Sequence, residues 1–308
     1  MDTKQESIFA KNKNKSILEK TMHIIFFVCS LVAIIAVFAI TIYMIISGTP
    51  AIFKIGLKEM LFNTVWQPTA TEPSFGIAYI ILTSILGTFA SILIGVPIGV
   101  LTAIFLSDIA NKNVYKFIKP CVELLAGIPS LIYGLFGLLI INPAIYKLEI
   151  ILFKNDPNHQ FTGGANLLSA ILVLAIMILP TVINVSETAL RSVPTSLKQA
   201  SLALGATYMQ TIFKVCLPVA KSGIITAIVL GIGRAIGEAM AIVLVSGNSV
   251  NLPVPFNSVR FLTTGIVSEM SYSSGLHREA LFTIGLILFL FIMIINVVIN
   301  RILKKEDN

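Results

Sequence analysis

The sequence predicts an all-α, polytopic membrane protein with six transmembrane helices. Of its 308 residues 56% are hydrophobic and 12% charged, whereas a soluble domain carries about 25% charged residues. Mean hydropathy is +0.91. Uncharged runs recur at about 20 residues, the length a helix needs to cross about 30 Å of hydrocarbon. Charge this sparse does not coat a water-facing fold. The net charge of +7 is dispersed between apolar runs, so it speaks for orientation in a lipid bilayer and implies no nucleic-acid partner.

The first span runs from Ile24 to Ile46. It follows a lysine-rich tail, as a signal peptide would, but its 23 uncharged residues exceed a normal apolar region and no A-x-A site follows, so it reads as a retained anchor. The second lies between Glu72 and Asp108, is longer than needed and carries Pro97, which predicts a tilt or kink. The third lies between Glu123 and Lys147, with Glu123 just after Pro120 at the expected positive end of its helix. The fourth spans about Ala165 to Ser186; Pro180 bends it, and Asn184 and Glu187 at its end read as solvated or loop-capping. The fifth runs from Gly223 to Ser246 and the sixth from Ala280 to Asn300.

An even number of crossings puts both termini on one face. Fifteen of the Lys and Arg residues fall on that face and six on the other, which makes it the cytoplasm of a cell membrane. The organisation is then a basic cytoplasmic tail over residues 1–22, a permease-like bundle over 23–303 and a short cytoplasmic tail over 304–308. Lys11 to Lys15 are a positive-inside anchor near anionic lipid. The outward loops, Ser47 to Pro73, Asn142 to Gly164 and Gly247 to Glu279, are rich in Pro, Asn, Ser and Gly and fit small caps or short helices.

The cytoplasmic loop from Leu190 to Lys221 is longer than a reversal requires. Ser196 and Gln199 have capping-box spacing after Pro194, so a helix is expected through Gln199, Ala200, Ser201, Leu202 and Ala203, ending at Gly205. Thr207 and Gln210 repeat the spacing for a second helix that Pro218 stops. Leu197, Ala200, Leu204, Ile212 and Val215 would seat this pair against the bundle or in a partner's groove.

Gln199-Ala200-Ser201, Gly205 six residues after the first triplet position, and Val215-Cys216-Leu217-Pro218 resemble the EAA loop of ABC importer permeases. Gln199 and Ser201 depart from that family's Glu and Ala. The stretch Glu123 to Gly134, the segment Ile178-Leu179-Pro180, and Leu230 to Met240 resemble phosphate-specific permeases, and Phe62 to Trp66 with Phe75-Gly76 favour the PstC-type subunit. The resemblance implies that residues 199–205 form a coupling helix that docks on cytoplasmic ATPase subunits. It further implies a sister permease as heterodimer partner, two ATP-binding cassette subunits and an external phosphate-binding protein, in a bacterial cytoplasmic membrane. The chain has no G-x-x-x-x-G-K-[ST] loop, so it binds no cofactor of its own on this reading, and ATP and Mg belong to the partner subunits.

Arg234 and Glu238 are the charges inside the fifth span, four apart and expected on one helical face. Intramembrane charges are costly and mark a pathway unless they form a neutralising structural pair. A guanidinium suits phosphate because its planar fork binds two oxygens, and a neighbouring carboxylate weakens the grip so that the anion leaves. The resemblance implies a pathway role for both. Gly233 and Gly237 have GxxxG spacing, which favours close helix packing, or else leaves room for an anion beside Arg234. Gly95 and Gly99 read as packing positions. His23, His159 and His277 are isolated in sequence and have no metal-ligand spacing. The chain reads as non-catalytic. Rival readings are a permease for another oxyanion such as sulfate or molybdate, an ion-driven secondary transporter, or a membrane-embedded phosphate sensor.

Overall fold

The computed structural model describes residues 3–306, with side chains described for 19–298 and Arg301. The side chains of Lys4, Lys11, Lys13, Lys15, Lys304 and Lys305, which carry much of the orientation signal, lie outside the described residues. The fold is all-α apart from one two-stranded hairpin.

Helix α1 (Thr3–Ile55) contains the first span, apolar from Glu19 onward. It outruns the expected end at Ile46 because Gly48 lies against the backbone of Phe282, and Thr283 Oγ1 donates to the Gly48 carbonyl at 2.7 Å. The outward loop therefore starts at Gly56. There, α2 (Leu57–Phe62) and the antiparallel strands β1 (Trp66–Gln67) and β2 (Ser74–Phe75) form the cap that the loop composition predicts. Gly76 is required in it, since a Cβ would lie 2.4 Å from the Asn63 carbonyl.

Helix α3 (Ala78–Ile104) closes in a π turn over Phe105–Ile109. Its buried positions Ile80, Ser84, Gly87, Ser91, Gly95 and Gly99 recur at three- and four-residue spacing, a narrow stripe of mostly small residues that faces α7. A Cβ on Gly95 would meet Ile178 at 2.6 Å, and one on Gly99 would meet Val182 at 2.7 Å, so both are packing positions.

The third span differs from expectation. Residues 112–127 form a separate amphipathic helix, α4 (Lys112–Gly127), and the crossing begins only at α5 (Ser130–Phe136), continuing through a π turn into α6 (Asn142–Phe153). Asn111, not Pro120, opens α4: its side chain accepts from the Val114 N–H at 2.9 Å. Glu123 is thus inside a helix, facing Lys119 at 3.7 Å, and caps nothing. Ile128 and Pro129 make the break, because proline forces its predecessor into extended backbone.

Helix α7 (Leu167–Arg191) is the fourth span and the centre of the main apolar core, where Val173, Leu174, Met177 and Ile178 are almost wholly buried. The loop after α7 holds α8 (Thr195–Ala203), α9 (Tyr208–Thr211), a π turn and α10 (Leu217–Val219). Then come α11 (Lys221–Gly237), α12 (Met240–Val245), α13 (Leu262–Glu269) and the sixth span, α14 (Gly275–Glu306). Among the described residues five helices are long and apolar enough to cross a membrane, and a sixth span is counted when Tyr208–Val219 and Lys221–Gly237, bent by 69°, are taken together.

Candidate substrate pathway and coupling loop

The two charges of the fifth span are separated by a break in the helix. Helix α11 ends at Gly237; Glu238 is extended (φ −75°, ψ 130°), and α12 starts two residues later. Glu238 Oε1 accepts the Ala241 N–H at 2.9 Å, satisfying an otherwise free donor at the start of α12. Its main-chain carbonyl accepts Thr263 Oγ1 at 2.7 Å. Arg234 instead donates from Nη1 to Thr181 Oγ1 of α7 at 3.3 Å, one residue after Pro180. The expected shared helical face is corrected: that spacing needs unbroken helix, and Glu238 has left it to cap the next one. Among the described residues no ion pair joins Arg234 to Glu238.

A second break lies nearby. Helices α5 and α12, each just beyond its own break, touch so closely that a Cβ on Gly134 would sit 2.8 Å from Ala241 Cα. At Gly127, Gly233 and Gly237, beside the two breaks, an added Cβ meets nothing within 4 Å. No described helix of this chain covers Gly233 or Gly237, so neither packs within the chain itself. They leave an open face next to Arg234.

In the coupling loop, the Thr207–Gln210 capping box is present in both directions, Gln210 Oε1 accepting from the Thr207 N–H at 2.9 Å. The Ser196–Gln199 box is absent; Pro194 opens α8 with its fixed φ and no side-chain cap. Gly205, at φ +84°, ends α8 in a Schellman turn, with Gly205 N–H donating to the Leu202 carbonyl (3.0 Å) and Ala206 N–H to that of Ser201 (3.2 Å). Pro218 does not stop the chain's helical course but stands in the first turn of α10, where a missing N–H is harmless. Of the residues expected to seat the pair, Ile212 is buried with Cys216, Leu190 and Ala103 and Val215 is half-buried, whereas Leu197, Ala200 and Leu204 stand exposed, Leu204 at 90%; Gln199, Leu202 and Ala203 are exposed beside them.

Charge at the α8 end of the bundle is paired. Glu187 is 2% exposed and accepts from Lys119 Nζ and Arg191 Nε, each at 2.6 Å. Lys119 also donates to Asn184 at 2.9 Å, so neither Asn184 nor Glu187 is merely solvated. Lys198 pairs with Asp108 across 90 residues of sequence.

The end of the bundle opposite α8 holds a cluster that sequence reasoning missed. Glu269 accepts from Trp66 Nε1 (2.9 Å) and His277 Nε2 (2.8 Å), and Arg260 Nη1 pairs with its second oxygen. Burial alone would raise this carboxyl; the Trp66, His277 and Arg260 donors outweigh it and hold Glu269 below the usual carboxylate value. The cluster walls an open cavity of about 930 Å³ that also touches Gln67, Asn248 and Tyr272. His159 likewise meets buried Glu149 at 2.9 Å. The histidines are isolated only along the chain. The signal was a lone tryptophan among charges in two outward loops, but pairs 203 residues apart leave no local pattern.

Residues 95–306 match the family described as binding-protein-dependent transport system inner membrane component. The chain is 37% identical over 305 residues to the Bacillus subtilis protein YqgH, named as an ABC transporter permease, with 96% of each chain covered. It is 36% identical over 262 residues to the phosphate transport system permease protein PstC of Pasteurella multocida, covering 80% of this chain and 81% of that one. With PstC of Haemophilus influenzae the identity is 31% over 315 residues, covering 99% and 98%. Among solved structures, a bacterial alginate ABC transporter in complex with its pentasaccharide-bound periplasmic protein gives a TM-score of 0.57 at 17% identity, over 88% of this chain and 90% of that one. The inward-facing MetNI methionine ABC transporter gives 0.53 at 22%, over 75% and 94%. Both likenesses concern the fold.

Proposed function

The chain belongs to the family of binding-protein-dependent transport system inner membrane components, and from that premise we propose how it serves phosphate import. It is a multi-pass permease subunit of an ABC phosphate importer and does no chemistry itself. Similarity to PstC over nearly the whole chain supports phosphate over sulfate or molybdate as the substrate class.

The observation that carries the mechanism is the open glycine face beside Arg234, set between two broken helices. An anion crossing a low-dielectric layer needs a countercharge and donors along its path. Arg234 supplies the charge. Its Nη1 bond to Thr181, at 3.3 Å, is long and leaves the rest of the guanidinium fork for phosphate oxygens. Glu238, committed to the start of α12, keeps the break in place and contributes negative charge at one remove, which favours release.

One copy pairs with a sister permease, each giving half of the pathway, with both termini in the cytoplasm. The tails over 1–22 and 304–308 flank the bundle of 23–303. An external binding protein delivers phosphate. Two ATPase subunits hold ATP and Mg, and their closure moves α8, whose Gln199, Ala200, Ser201, Leu202, Ala203, Leu204 and Gly205 present the docking surface. The exposure of all of these but Ser201, which is half-buried, supports the assignment. The bundle then reopens inward.

The test is uptake of labelled phosphate into proteoliposomes holding the whole complex, with and without excess sulfate. ATP-dependent uptake that resists sulfate is expected. Full competition by sulfate would reassign the substrate, and uptake that ignores ATP but collapses with the proton gradient would favour an ion-driven carrier.

A further inference from the structure

Helix α8 has no buried residue, so apolar packing does not hold it to the bundle. Among the described residues two side-chain links do. Ser201 Oγ meets Thr211 Oγ1 at 2.9 Å, a contact inside the loop itself. Lys198 Nζ pairs with the Asp108 carboxylate, and this link alone runs from an α8 side chain to another span.

Asp108 sits in the π turn that closes the second span, its side chain 3% exposed, while that of Lys198 is 23% exposed. Its other carboxylate oxygen accepts Ser107 Oγ at 2.7 Å, and its main-chain carbonyl accepts the Tyr208 hydroxyl at 2.6 Å. One residue of the second span thus receives both arms of the loop, α8 through Lys198 and α9 through Tyr208. The carbonyl of nearby Leu106 accepts Arg191 Nη2 at 3.0 Å, which fixes the loop's entry to the same turn.

Apolar contacts are non-directional, and surfaces held by them slide. A buried carboxylate pulled from its cation loses its compensation, so the pair resists separation and its two ends move together. Lys198 immediately precedes the Gln199-Ala200-Ser201 triplet, placing this anchor at the docking surface. Resting on the permease reading above, we infer that the Asp108–Lys198 pair is the joint that carries displacement of α8 into the second span. Asp108 and Lys198 are positioning residues, remote from Arg234 and from any substrate contact.

The test compares phosphate taken up per ATP hydrolysed in the assembled complex. Four proteins are needed: unsubstituted, Lys198→Ala, Lys198→Arg, and the exchange Asp108→Lys with Lys198→Asp. In Lys198→Ala, ATP hydrolysis stays within about twofold while phosphate per ATP falls about tenfold, the pattern of a lost coupling between otherwise intact parts. Lys198→Arg keeps the ratio, and the exchange recovers most of it. An unchanged ratio in Lys198→Ala overturns the inference. So does a loss that the exchange and Lys198→Arg both fail to restore, or failure of the variants to assemble, since the pair would then hold the fold and carry no motion. Absence of ATP-driven phosphate uptake in the unsubstituted complex would overturn the permease reading instead, and the inference with it.

Discussion

The Tyr133 hydroxyl donates to the carbonyl oxygen of Leu125 at 2.7 Å, bridging the break at Ile128–Pro129. Glu238 does the equivalent for the other break by accepting the Ala241 N–H. Broken helices in a membrane leave backbone groups that lipid does not satisfy. Here each break supplies its own donor or acceptor, so the glycine face between them stays open without a surplus of unpaired backbone.

Arg234→Ala is expected to remove phosphate uptake while the complex still assembles and hydrolyses ATP. A hydrogen bond to a charged group contributes about 1.5–3 kcal/mol, so each lost phosphate contact corresponds to roughly a ten- to hundredfold fall. Flux measurements beside the yield of purified complex check this. Loss of the complex itself would mark Arg234 as a fold-holding residue.

Gly95 and Gly233 should respond in opposite ways to added bulk. Gly95→Val drives a side chain into Ile178, which lies 2.6 Å from the Cβ position, and should cost about 1–3 kcal/mol of stability. Gly233→Ala meets nothing in this chain, so thermal stability of the isolated chain should hold while uptake by the complex declines. Melting curves in detergent and transport assays separate the two.

Gly205→Ala isolates a backbone effect. The added methyl has open space, but φ of +84° is unfavourable for an L-residue by about 1–2 kcal/mol. Faster hydrogen exchange confined to residues near the end of α8 is the expected readout.

Glu269 titrates below its ordinary value of 4.5. Its contribution is therefore fully present above about that pH and is lost as pH falls through the lowered folded value. Trp66, the single tryptophan of the chain, bonds to this carboxylate. Its fluorescence should shift as pH falls below the usual carboxylate range. Glu269→Gln should abolish that acid transition and, by leaving Arg260 unpaired, lower stability by about 3–5 kcal/mol.

Long-wavelength features of this fold were legible in the chain. Apolar runs marked the spans, and Gly205 and the Thr207–Gln210 pair marked the loop, because each rests on composition or on spacings of a few residues. The starting point of the third span was not, since residues 112–127 are a helix in their own right and charge alone does not tell an amphipathic helix from a loop. At Glu238 a strictly local rule, four residues on one face, lost to a cap whose benefit appears only once α12 and α13 are in place. The pairs Asp108–Lys198 and Trp66–Glu269 join distant segments, and no periodicity announces them.

Leu204 stands 90% exposed at the end of α8, with Leu202 and Met209 close to half exposed on the same loop. Such an uncovered apolar knob is the kind of surface that chaperones and proteases read as unfinished work. On the docking role proposed above, balanced synthesis of the subunits follows as a need of this one leucine, which in the assembly is covered and in an orphan copy marks it for removal.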